Sequence, residues 1–354
     1  MRRWMIALAA AALVLVVAVF LLQKDIGEWL YDRAVGERIA AAPLAAATGL
    51  TVGLCGTGSP MPGTDRAGAC TVVLAGDQVI LVDAGEGAAR NLARMGVDPG
   101  RVSAVFLTHF HSDHIDGLGP LNLLHWTGKR DRVPLPLIGP PGVETVAAGF
   151  NGAYALDHGY RVAHHGDRIA PATGGTLLAQ PFALPARPQV VFERAGLRVT
   201  AFAVDHRPVA PAVGYRIDHR GRSVVVSGDT AQSASLERVA SGADLLVHEA
   251  LQPRMVASLT RALEKAGRVH TAQITRDILT YHATPAKAAE SAQRARVRQL
   301  VLTHLIPPLP RAYFYPAFLG EASERFDGPI IVGDDGLVFD LPAGSREIHR
   351  SNRF

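Results

Sequence analysis

The chain opens on an uncharged apolar run, residues 4–22, directly behind Arg2 and Arg3. At about 1.5 Å per helical residue the run reaches roughly the 30 Å of a bilayer's hydrocarbon core, and it reads as a membrane-spanning helix. Polar, helical-looking sequence follows it where a signal peptide would carry a small-x-small cleavage site, which favours an uncleaved anchor. Residues 1–23 are therefore the expected anchor and 24–47 a short helix with an Ala-rich linker. The two arginines should stay on the cytoplasmic side, placing the remainder in the periplasm of an inner-membrane protein. Secretion to the periplasm after signal cleavage is the alternative.

From Thr51 the period changes. Residues 51–55, 71–75 and 79–83 are β-rich apolar runs separated by Gly, Pro and Asp, the pattern of an antiparallel meander. Residues 86–95 read as helix and 103–108 as a buried strand. Further strands are expected at 197–204, 213–217, 223–227, 245–248 and 300–303, so two sheets covered by outer helices are implied. One domain over 48–342 accounts for this pattern, followed by a tail at 343–354. Two stretches break the rhythm. Residues 128–190, dense in Pro and Gly, read as an insertion around a short helix, and 253–283 as a helical lid. Thr284-Pro285 then opens an Ala-rich helix, with Thr as N-cap and Pro at the first position.

With 48% hydrophobic and 19% charged residues the chain is a globular protein with an apolar segment. The formal net charge of +4 is small and dispersed, so composition offers little electrostatic grip on a polynucleotide. Only Cys55 and Cys70 occur, which excludes a cysteine-rich zinc cluster. Flanking a Gly/Pro-rich loop, they can form one disulfide in an oxidising compartment or remain two inert thiols near the core.

The densest chemistry lies in Thr108-His109-Phe110-His111-Ser112-Asp113-His114, where three imidazoles and a carboxylate follow a buried strand. His and Asp are donors that zinc accepts, and the alternate spacing of His109 and His111 lets both point one way. Asp113 and His114, one turn on, can face a second ion. Further ligands should also close apolar strands, and His206, Asp229 and His304 do so. Asp229 can bridge two ions; His109, His111 and His206 complete one shell, and Asp113, His114 and His304 the other. Such a pair of ions lowers the pKa of a bridging water.

These segments, together with residues 56–60, 83–87, Gly214-Tyr215-Arg216, Ser227-Gly-Asp-Thr230, His248-Glu249-Ala250 and His282-Ala-Thr-Pro285, resemble the metallo-β-lactamase superfamily, in the branch holding ribonuclease Z and arylsulfatase-type hydrolases. The resemblance implies a four-layer αββα sandwich of two mixed β-sheets flanked by helices. It also implies two zinc ions, with manganese as the alternative. A lactamase proper carries Cys where Asp229 stands, which disfavours β-lactam hydrolysis. His282 matches a family histidine that protonates the leaving oxygen or stabilises the transition state, so Asp113 and His282 are the expected catalytic residues. Asp83 is expected to brace the metal loops by hydrogen bonds, with His248 and Glu249 behind the ligands or beside the substrate.

Three readings compete: a hydrolase of a small sulfate or phosphate ester, a ribonuclease Z-type tRNA 3′-processing enzyme, and a metal-binding protein without catalysis. Every ligand position is filled, which counts against the last. The outward-facing anchor and dispersed charge favour a small anionic ester over tRNA, with lactonase or thioesterase chemistry as a further alternative on the same scaffold. The oligomeric state stays open.

Overall fold

A computed structural model describes residues 2–40, 42–128 and 132–354. Met1 of the anchor, Ala41 of the linker and residues 129–131 of the Pro/Gly-rich stretch lie outside the described residues. The chain divides into two compact units, Met1–Pro43 and Leu44–Phe354.

In the first unit one helix, Arg2–Ala40, runs unbroken through both the apolar stretch and the charged sequence that follows. It is long and apolar enough to cross a membrane, and none of its apolar window is buried. Past residue 23 the pairs Lys24–Glu28 and Arg33–Glu37 support it at i,i+4 spacing. The short helix expected in the linker is thus a continuation of the first. The second unit begins a little before Thr51, because Leu44 is buried and its N–H bonds to the Gly96 carbonyl.

That unit is an α/β sandwich of two mixed sheets flanked by helices. Strands β1 (Leu50–Gly56), β2 (Cys70–Ala75) and β3 (Gln78–Val82) form the antiparallel meander. β4 (Ala104–Phe106), β5 (Leu135–Gly139) and β6 (Leu177–Pro181) then add in parallel. The second sheet repeats the plan. β7 (Gln189–Arg194), β8 (Leu197–Ala203), β9 (Val213–His219) and β10 (Arg222–Val226) are antiparallel, and β11 (Leu245–Leu251), β12 (Gln299–Ile306) and β13 (Ile330–Val332) follow in parallel. The chain returns through β14 (Leu337–Leu341) and β15 (His349–Asn352) to the β1 edge of the first sheet.

Alternation explains the layering. Val52, Val73, Ile80 and Phe106 from the first sheet meet Val199, Tyr215, Val224 and Val247 from the second between the sheets. Their neighbours Val72, Leu81 and Val105 turn outward under one helical layer, and Val225, Leu246 and Leu300 under the other. Strands buried on both faces read as continuous apolar runs, which is why they were conspicuous in sequence.

Two expectations need correction. Residues 128–190 are not an insertion around a short helix: β5 and β6 complete the first sheet, and β7 starts the second. Leu135 and Leu137 are fully buried there, but Pro134 and Pro136 broke up the strand pattern. Residues 343–354 are likewise not a simple tail, since β15 pairs along β14. Residues 253–283 do fold as a helical hairpin, Pro253–Lys265 and Val269–Asp277. Cys55 and Cys70 form a disulfide between β1 and β2, their Cα atoms 5.0 Å apart.

Candidate metal centre

Parallel strands place their C-terminal ends on one rim, and loops leaving that rim carry the polar residues. His109 and His111 follow β4, His206 follows β8 and Asp229 follows β10. The one-turn helix Ser112–Ile115 starts directly after His111 and turns Asp113 and His114 back towards the rim. Its approach depends on Gly85, where a Cβ would stand 2.1 Å from the Asp113 carbonyl oxygen. His304 lies within β12, at a bulge where Glu249 pairs with Thr303 and Ala250 with Leu305. The bulge puts His304 in the left-handed region, φ 47°, and directs its ring to the rim.

The seven donors converge into two groups, His109, His111, His206 and Asp229, and Asp113, His114 and His304, each with ligand atoms within 4.8 Å of one another. Asp229 faces both groups. Its Oδ2 is 3.8 Å from His109 Nε2 and 3.9 Å from His206 Nε2, while its Oδ1 is 3.5 Å from His114 Nε2. His304 Nε2 stands 2.9 Å from Asp113 Oδ2 and 3.3 Å from Asp229 Oδ2. His282 also comes within 4.8 Å of Asp229 and His304, near enough to act on anything held there.

These residues fit metal ions. His114 Nε2, His206 Nε2 and Asp229 Oδ1 are buried with no hydrogen-bond partner, an arrangement costly for polar atoms unless a cation meets their lone pairs. Among the seven donors there is no sulfur, so a borderline or hard divalent ion suits the set.

The electrostatics point the same way. Burial holds His109 well below its usual 6.5, and lowers His111 and His206 as well, leaving neutral imidazoles ready as ligands. Burial also opposes charge on His304, but Asp229 and Asp113 together outweigh it and raise the group to about 9. At His114 the carboxylates of Asp229, Asp83 and Asp113 outweigh burial in the same sense. Asp229 resists the upward push of burial because His304 and His114 hold it well below the carboxylate range. Without metal, then, protons on His304 and His114 stand where cations would.

The remaining expected residues surround this ring. Asp83, at φ 60°, accepts from the Thr108 N–H, from Thr108 Oγ1 and from His114 Nδ1, each at 2.8 Å, and so ties β3 to the histidine loop. Glu249 Oε1 contacts His282 Nδ1 at 3.0 Å and accepts from the Ala283 and Thr230 N–H groups at 3.1 Å. His248 lies buried beneath, its Nδ1 2.7 Å from the Glu249 carbonyl oxygen. Arg207, next to His206 in sequence, is exposed and paired with Asp205. His164 and His165 end an exposed helix, Ala155–His165.

Sequence reading missed several contributors. The Tyr281 carbonyl is 3.0 Å from His206 Nδ1 and orients that ring. A cavity of about 390 Å³ opens over the ring, and Met61, Ile274, Ile278 and Ile306 form much of its other wall. Tyr281 adjoins His282 in sequence and was open to notice; nothing in the sequence singles out the isoleucines.

Residues 78–305 match the β-lactamase superfamily domain. The chain is 39% identical over 291 residues to ribonuclease Z of Mycobacterium avium strain 104, spanning 81% of this chain and 96% of that protein. It is 39% identical over 295 residues to ribonuclease Z of Mycolicibacterium gilvum strain PYR-GCK, spanning 81% and 94%. Human tRNase Z, short form, shares the fold with a TM-score of 0.59 at 22% identity, over 82% of this chain and 99% of that one. Strand-end donors, sheet topology and these likenesses agree: the chain belongs to the metallo-β-lactamase superfamily of hydrolases, alongside the ribonuclease Z proteins.

Proposed function

We propose that the chain hydrolyses phosphodiester bonds with two metal ions, zinc in the first instance, held by His109, His111 and His206 on one side, Asp113, His114 and His304 on the other, and Asp229 between. The observation carrying this reading is the shared centre on which both donor groups converge, with buried atoms of His114, His206 and Asp229 that lack a hydrogen bond. Two divalent ions there would supply positive charge for the phosphoryl oxygens and lower the pKa of water. The chain's own part is proton handling and alignment. With Nδ1 of His282 engaged by Glu249, its Nε2 is the nitrogen available to protonate the leaving oxygen. Asp83 and the Tyr281 carbonyl fix the His114 and His206 rings.

For substrate, 39% identity over 96% of a ribonuclease Z outweighs the small-ester preference drawn from the anchor and the dispersed charge, and supports an RNA 3′ end. A small sulfate or phosphate ester is a second reading, on two observations. The apolar N-terminal helix suits a site outside the cytoplasm, away from tRNA maturation, and the Cys55–Cys70 disulfide is a feature of oxidising compartments. Purified full-length protein, loaded with zinc, decides between them with a tRNA precursor and 4-nitrophenyl sulfate offered in parallel. Site-specific release of the 3′ trailer supports the RNA reading; sulfate ester turnover without trailer release overturns it.

A further inference from the structure

The cleft over the donor ring has a second wall of different chemistry. Met61 comes from the loop after β1, Ile274 and Ile278 from the helical hairpin, Tyr281 from the segment leading to His282, and Ile306 from the end of β12. Among the described residues lining the cavity there is no Lys or Arg. Its volume, about 390 Å³, falls within the roughly 300–1,000 Å³ of small-molecule sites. The wall is preformed. Ile278 packs with Leu251, Val256 and Ile306, and the Thr260 and Thr275 hydroxyls meet at 2.8 Å to join the two hairpin helices. Ile274 lines the cavity yet stays 57% exposed, so apolar surface reaches its mouth.

We propose that this wall is a subsite for an apolar chain esterified to the scissile phosphate, so that amphiphilic phosphodiesters are a substrate class of this enzyme. The proposal rests on the phosphodiester reading of the site and is independent of the RNA reading. A flanking nucleotide placed against this wall would find no cation for its phosphate, whereas an alkyl chain there exchanges water for Met61, Ile274 and Ile278. Hydrolysis adds water across one P–O bond, giving a phosphomonoester and an alcohol, with the proton for the leaving oxygen coming from His282.

Full-length protein loaded with zinc and held in nanodiscs is titrated by calorimetry with alkylphosphonic acids from ethyl to octyl, and assayed separately with bis(4-nitrophenyl) phosphate. The expected Kd falls by about two- to fourfold per methylene. Ile274→Ser and Met61→Ser should flatten that dependence, and Ile274→Leu should retain it. A Kd indifferent to chain length, or a dependence that survives both serine variants, overturns the proposal. Chain-length dependence without cleavage of bis(4-nitrophenyl) phosphate supports the subsite while removing the phosphodiester reading.

Discussion

The two walls of the cleft are built to different tolerances. Six of the seven donors, all but His111, are buried at strand ends or in the loops directly behind them, and Asp83, Glu249 and the Tyr281 carbonyl accept hydrogen bonds from the rings of His114, His282 and His206. The opposite wall joins Met61 and Ile306 to a two-helix hairpin, where Ile278 sits in a small apolar cluster and Ile274 is mostly exposed. Chemistry demands donor positions correct to a fraction of an ångström, and paired strands supply that; selection among substrates tolerates a more adaptable element. Damage to the ring should therefore abolish function, and damage to the hairpin should retune it.

The strongest test removes the shared carboxylate. Asp229→Ala should lower turnover by on the order of 10³-fold and reduce bound metal from two ions per chain to one or none, read by elemental analysis. A variant retaining two ions would separate Asp229 from both groups. Next comes His282→Ala, expected to lose about 10²-fold or more of kcat towards a substrate with a poor leaving group while keeping its metal. An activated leaving group should rescue much of that loss; equal loss on both substrates would assign His282 to some other task. Further down the scale, Asp83→Asn should cost about 10- to 100-fold in metal affinity, since it orients His114 and Thr108 without facing the metal itself.

The smallest effect concerns protons. His304, raised to about 9 in the metal-free fold against 6.5 unfolded, contributes stability that is fully present below pH 6.5 and is lost as pH rises through 9. His114 adds in the same direction. Melting temperature of the metal-free protein should thus fall between pH 6.5 and 9, and metal uptake near pH 7 should release protons, measurable as a buffer-dependent heat. A flat melting profile together with uptake heats indifferent to buffer would mean that these imidazoles are neutral before metal arrives.

Much of this arrangement was legible in the chain itself. His109, His111, His206, Asp229 and His304 each stand next to an apolar run, and polar residues closing buried strands must find a partner at the sheet's rim. The meander and the later parallel strands stood out because both of their faces are covered. By contrast β5 and β7 were hidden, the first by Pro134 and Pro136 and the second because its edge position leaves it partly exposed and without a clear apolar pattern. The cavity wall was hidden for another reason: Ile274 and Ile278 look like any amphipathic helical pair until Met61 and Ile306, distant in sequence, are brought opposite them.

Local order thus marked the candidate donors: strand period, helix caps and donor type are properties of short segments, and short segments reveal them. Which donors share Asp229, how one Glu249 oxygen meets His282, Ala283 and Thr230, and that an apolar wall faces the ring were decided only by the packing of two sheets and a hairpin. Those are contacts between residues far apart in the chain, such as Asp113 with His304, 191 positions on. Such contacts leave no periodic trace in sequence, because only the closed sandwich holds their geometry.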